Sequence, residues 1–239
     1  MKALAALLLA GKMGKFLLSG GTMLLSLVAY GLVFGWWYAA GFIALLFAHE
    51  MGHFIAAKNR GLNVGLPTFI PFVGAWIELK EQPMDAETEA FVGIAGPMLG
   101  SAAAFLCYLA ARSYDSNLLL AIAYAGFVLN LFNLIPLSPL DGGRIVSVVS
   151  PRIWFLGIPI LVGLFFWSPS PLLILIAVLA APQVWAAFKD RGALDSEYYR
   201  APRSVRLQYA AQYLALAAFL AVMAFEVHEV LAGRVATVF

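Results

Sequence analysis

Apolar runs of about twenty residues, parted by short polar or proline- and glycine-rich breaks, follow one another along most of the chain and predict a stack of membrane-spanning helices. A hydrocarbon core of ~30 Å needs roughly twenty helical residues. The runs Phe16 to Phe34, Trp36 to Lys58, Glu89 to Ala111, Asn117 to Leu137 and Leu207 to Leu231 approach or meet that length. From Ile145 the chain stays apolar through Trp167, with Pro151 and Pro159 inside the run, and it is apolar again from Pro171 to Phe188. The Ser168-Pro169-Ser170-Pro171 turn between them predicts two shorter spans. Trp36, Trp37 and Tyr38 form an aromatic cluster of the kind found at the lipid–water boundary, so the first two spans are joined by a very short turn. Met1 to Gly11 begins like a signal peptide, but its apolar run is short, no A-x-A site follows, and Lys12 and Lys15 precede the next apolar segment. An uncleaved interfacial lead-in is expected there.

Asn63 to Gln82 breaks the helical pattern. Gly65, Pro67, Pro71 and Gly74 alternate with Val64, Phe69, Ile70, Phe72, Val73, Trp76 and Ile77, which suits short strands and turns but is too apolar for an ordinary exposed loop. A re-entrant or membrane-surface β-hairpin is expected, and irregular backbone at membrane depth needs protein or a water-filled cavity beside it. A surface loop anchored by its aromatics is the alternative.

Composition agrees with the pattern. The 239 residues are 63% hydrophobic and 12% charged, against roughly 45–50% and about 25% in soluble domains, and the mean hydropathy is +0.88. The fold class expected is an all-α polytopic membrane protein with about six to seven transmembrane helices and a small hairpin. Lys and Arg fall in short loops rather than on one face, so no nucleic-acid partner is implied. With seven crossings and a cytoplasmic N-terminus, all fifteen except Arg112 and Arg234 lie on the cytoplasmic side, as the positive-inside rule requires. The location expected is the cell membrane, the inner one in a bacterium. Cys107, the single cysteine, sits in an apolar run and is assigned to packing.

The second span carries His49-Glu50-Met51-Gly52-His53. On a helix, side chains four residues apart share a face, so two neutral imidazoles there can bind one Zn²⁺ while Glu50 acts as base toward a water. Two of the chain's three histidines fall in this pattern. A purely structural His pair is the alternative, but burying these groups in an apolar medium without partners costs several kcal/mol. A catalytic zinc site needs a third protein ligand and an open position. Asp141, in Ser138-Pro139-Leu140-Asp141-Gly142-Gly143-Arg144, is the only carboxylate between Asp115 and Asp190 and ends its span at the same depth as His53. Spacing alone leaves it either a ligand or a turn aspartate before a Gly-Gly pair. Asn130 and Asn133 are candidates to hydrogen-bond an unwound substrate strand or an oxyanion. His228, between Glu226 and Glu229, is assigned to an interfacial polar cluster. A membrane metal transporter or metal-binding protein using the same His pair is a second reading; it calls for several ligands along a path, whereas these groups cluster at one depth.

The combination of Phe47 to His53, the small-residue stretch Gly93-Ile94-Ala95-Gly96-Pro97, and Asn133-Leu134-Ile135-Pro136 leading to Leu140-Asp141-Gly142-Gly143-Arg144 resembles the site-2 protease family of intramembrane zinc metalloproteases. The resemblance implies His49, His53 and Asp141 as zinc ligands, Glu50 as acid/base, and transmembrane proteins or signal peptides as substrates. It covers Trp36 to Arg144. The organisation expected is a lead-in and first helix over 1–35, a catalytic core over 36–144 and further helices over 145–239. No stretch is long and polar enough for the peptide- or nucleotide-binding modules that such proteases often carry, so a compact, core-only member is expected.

Overall fold

The computed structural model describes residues 2–76, 83–189 and 196–236. Eight α-helices and one two-stranded sheet follow in order: α1 (Lys2–Phe34), α2 (Trp36–Asn59), β1 (Thr68–Ile70), β2 (Gly74–Trp76), α3 (Ala86–Ser113), α4 (Asn117–Asn133), α5 (Asp141–Val149), α6 (Trp154–Trp167), α7 (Pro171–Lys189) and α8 (Arg203–Ala236). Single 3₁₀ turns at Pro151–Ile153 and Glu197–Tyr199 precede α6 and α8. Among the described residues four helices are long and apolar enough to cross a membrane: Trp36–Asn59, Ala86–Ser113, Pro171–Lys189 and Arg203–Arg234. The apolar stretches Leu18–Phe34, Asn117–Asn133 and Pro151–Trp167 are shorter. The chain is a helical integral membrane protein.

Several boundaries differ from the sequence expectation for local reasons. The lead-in and first span form one unbroken helix, about 50 Å long at 1.5 Å per residue. Helix α4 stops at Asn133 rather than Leu137, because Pro136 supplies no backbone N–H and disfavours helical geometry at Ile135. The apolar run from Ile145 is divided between α5 and α6. Its break is Ser150, which is extended (φ −168°, ψ 123°) ahead of Pro151. The hairpin forms as expected, with Thr68 opposite Trp76, Phe69 opposite Ala75 and Ile70 opposite Gly74. The rest of the expected hairpin segment, 77–82, lies outside the described residues.

Helix α3 is the hub and packs on α2, α4, α5 and α8. Gly93, Gly96, Pro97, Gly100, Ser101 and Ala104 recur at helical spacing and are all buried, a small-residue stripe that lets neighbouring backbones come close. Gly52 of α2 crosses there, and a β-carbon on it would overlap the Ala95 carbonyl. The main apolar core joins Leu45, Ala90, Ile94, Ala104, Leu120, Phe127, Ile145 and Leu220 from α2, α3, α4, α5 and α8. A second cluster, Leu137, Leu140, Leu161, Leu173 and Ile176, packs α6 and α7 on the turns that precede α5.

Polar ties mark the two ends of the bundle. At one end Arg60 after α2 pairs with Glu87 of α3 at 3.9 Å, and the Tyr198 hydroxyl donates to Glu89 at 2.8 Å. At the other, Arg234 of α8 donates to Asp115 (2.6 Å) and Asn117 (2.8 Å) in the α3–α4 turn.

Candidate metal centre

His49 and His53 lie one turn apart on α2, and both imidazoles are buried. Asp141, the first residue of α5, meets them across the top of α3. Its Oδ2 is 3.1 Å from His49 Nε2, its Oδ1 is 3.2 Å from His53 Nε2, and the two Nε2 atoms are 3.1 Å apart. The far sides of the rings decide what these contacts are. Asn130 Nδ2 donates to the Gly126 carbonyl at 2.7 Å, which turns Asn130 Oδ1 toward His49 Nδ1 at 2.8 Å. His53 Nδ1 lies 2.8 Å from the Val92 carbonyl. Both acceptors place the ring proton on Nδ1, so both Nε2 atoms present lone pairs.

Two imidazole lone pairs and a carboxylate therefore converge with no proton to share between them. With both imidazoles neutral, a bound cation reconciles that arrangement in a buried place. The donor set suits a metal that takes nitrogen and oxygen ligands at ~2.0–2.2 Å, because tetrahedral neighbours at such bond lengths stand roughly 3.3 Å apart. The outer hydrogen bonds to Asn130 and Val92 are the supports that metal-binding histidines characteristically carry.

The supporting backbone is close-packed. A β-carbon at Gly96 would overlap the His53 ring, and one at Gly100 would overlap the Asn130 amide. Asp141 is held from both sides. Gly142 lies against the Leu134 and Ile135 carbonyls, Trp154 Nε1 donates to the Gly143 carbonyl at 2.8 Å, and the Tyr213 hydroxyl donates to the Leu134 carbonyl at 2.5 Å.

A cavity of about 410 Å³ opens beside His49, His53 and Asp141. Glu50, Asn133, Arg144, Gly74 and Ala75 share its wall with Leu172, Leu175, Ile176 and Leu179 of α7. Glu50 is buried and has no hydrogen-bond partner among the described residues, which leaves its carboxylate for the cavity. Asn133 also donates to the Leu129 carbonyl at 3.2 Å. Asn130 is fully buried, lies outside the cavity wall and contacts His49 Nδ1. Arg144, which the sequence does not single out by itself, also lines the cavity. Its signal was the three-residue step from Asp141, which on a helix puts both on one side. Cys107 and His228 lie elsewhere: Cys107 against the Leu119 carbonyl (3.4 Å), His228 exposed beside Tyr124 (5.8 Å between ring centroids). Among the described residues His49, His53 and Asp141 are the one group of three placed to hold a metal.

Residues 37–116 match the model of peptidase family M50, a stretch that covers the histidine pair and all of α3 and ends before Asp141. The matched stretch is about a third of the chain, and over it the chain is similar to that family. Among curated relatives, the zinc metalloprotease MJ0392 of Methanocaldococcus jannaschii is 30% identical over 106 residues, 42% of this chain and 30% of the relative. Rip3 of Mycobacterium tuberculosis, which bears a zinc metalloprotease name, is 33% identical over 129 residues, 49% of this chain and 33% of its own. The Arabidopsis thaliana protein named "Probable zinc metalloprotease EGY1, chloroplastic" is 24% identical over 156 residues, 46% and 28% respectively. In each case the match spans about a third of the relative's length.

Proposed function

We propose that this protein is a member of peptidase family M50, a zinc metallopeptidase that hydrolyses peptide bonds of transmembrane segments, including signal peptides, close to one membrane face. The observation that carries the reading is the buried convergence of His49, His53 and Asp141 beside a cavity whose wall joins Glu50 to the apolar side chains of α7. Zinc at such a site supplies Lewis acidity, which acidifies water and polarises an amide carbonyl. The chain's own residues do the rest. Glu50 takes the proton of the attacking water and returns it to the nitrogen of the departing amine. Asn133 and Arg144 bring N–H donors to the cavity wall, where an amide oxygen gaining negative charge needs them.

A helical substrate hides its carbonyls in its own hydrogen bonds, so the segment to be cut unwinds locally before cleavage. The apolar α7 wall receives its side chains, and the hairpin offers a strand edge to its backbone. The chain crosses the membrane seven times from a cytoplasmic N-terminus, with α5 and the second apolar cluster completing the shorter spans. Cleavage is then on the cytoplasmic side, where His53 and Asp141 lie, in the manner of regulated intramembrane proteolysis.

The test is zinc per chain in detergent together with cleavage of a panel of transmembrane peptides by wild type, Glu50→Gln and Asp141→Ala. The expected result is about one zinc per chain, activity lost but metal kept in Glu50→Gln, and metal lost in Asp141→Ala. Bound metal without any Glu50-dependent cleavage overturns the protease reading and directs the next assay to metal transport across vesicles.

A further inference from the structure

The hairpin has two edges, and they are treated differently. On the β1 side three side chains of α1 bond to its backbone: the Ser19 hydroxyl donates to the Pro67 carbonyl (2.5 Å), the Phe69 N–H donates to Thr22 Oγ1 (3.3 Å), and the Phe72 N–H donates to the Tyr30 hydroxyl (3.0 Å). Residues 19, 22 and 30 share one face of α1, and Ser26, buried on the same face, has no partner for its hydroxyl. The Tyr30 ring also rests on Phe72, with 4.9 Å between centroids. Within the bundle α1 packs chiefly on α2 and β1. A row of hydroxyls thus stands where a third strand would.

The β2 edge follows from the same bonds. Antiparallel pairs alternate between residues that exchange both backbone bonds and residues that direct both away from the partner strand. Phe69 gives its N–H to Thr22, so Phe69 and Ala75 form a pair of the second kind. Ala75 therefore turns its N–H and C=O to the outer side of β2. Gly74 and Ala75 line the cavity that contains Glu50 and the metal ligands.

We propose that Ser19, Thr22 and Tyr30 are positioning residues that occupy the β1 edge in place of a strand and so commit the open edge at Ala75 to the unwound substrate beside the metal site. The proposal rests on the peptidase reading and adds the register: one substrate residue exchanges both backbone bonds with Ala75. An unoccupied β1 edge would offer a competing template away from the chemistry. With α1 in place, strand addition happens only where cleavage can follow.

Two measurements test it on the full-length, zinc-loaded protein. Amide exchange read by mass spectrometry is expected to quicken over the 67–73 segment in Thr22→Val and Tyr30→Phe, with Thr22→Ser restoring protection. In the same variants KM for a transmembrane peptide rises several-fold while kcat is kept. Ala75→Pro removes an N–H that the β1–β2 ladder does not use, and kcat/KM falls about tenfold, the worth of one backbone hydrogen bond, with zinc content unchanged. Leu25→Ala, on the outward side of α1, behaves as wild type. Wild-type exchange and KM in both Thr22→Val and Tyr30→Phe, or wild-type kinetics in Ala75→Pro, overturn the proposal. If wild type shows no Glu50-dependent cleavage the peptidase reading fails instead, and the exchange data still decide the role of α1.

Discussion

His49 gives its Nδ1 proton to Asn130 at 2.8 Å, so a residue of α4 that never reaches the cavity governs which nitrogen of an α2 histidine faces the metal. Asn130→Ala removes the acceptor and leaves His49 free to change tautomer. Metal affinity is expected to fall ~10–100-fold, measured by competition with a chelator of known affinity, while the circular dichroism spectrum stays that of the wild type.

Gly96 touches the His53 ring directly, so Gly96→Ala adds a methyl group where the ring already is. The expected cost is about 1–3 kcal/mol of overpacking, taken up by rotation of His53 away from Asp141. Zinc per chain falls in this variant. In contrast Gly20→Ala on α1, where a β-carbon meets nothing, leaves zinc content unchanged.

Glu50→Gln keeps the size of the side chain and abolishes its basicity. Peptide cleavage is expected to drop by at least ~100-fold, the ordinary worth of a positioned acid/base group. Metal content and thermal midpoint remain near those of the wild type, which distinguishes loss of proton transfer from loss of the site.

The Tyr198 hydroxyl, donated to Glu89 at 2.8 Å, ties the turn before α8 to the start of α3. Burial and then the Glu89 charge push its phenol above the usual range. A phenol raised on folding contributes stability that is complete below its unfolded value near 10 and fades as pH rises through the folded one. The ultraviolet signal of tyrosinate is therefore expected to lag in the folded protein, and Tyr198→Phe removes one lagging titration.

How far these features could be read from the chain depended on whether they are local. His49 and His53 are four residues apart, and a helix is all that is needed to bring them together. The hairpin announced itself through prolines and glycines among aromatics. Spacing leaves Asp141 open, because it does not say that the turns over 134–140 carry the chain back to α2; Tyr213 holds the start of those turns and Trp154 the α5 residue Gly143, through contacts that cross 79 and 11 residues. Sequence position gives Asn130 and Asn133 one shared candidate role, whereas the helix turns one amide toward His49 and the other toward the cavity. The break at Ser150 was hidden inside an unbroken apolar run, where only Pro151 hinted at it.

His49 and Asp141 are separated by about ninety residues of chain, and α3 lies between their helices. A metal gripping both is a cross-link. For a chain unfolding into water, a covalent tie across a loop of that length is worth roughly 4–5 kcal/mol in lost disorder; among helices already inserted in lipid, the freedom it removes is that of α2 and α5 to part around α3. Metal supply would then govern mechanical integrity as well as chemistry. A chain that loses its ion loosens at the seam between α2 and α5, so added metal raises its resistance to unfolding.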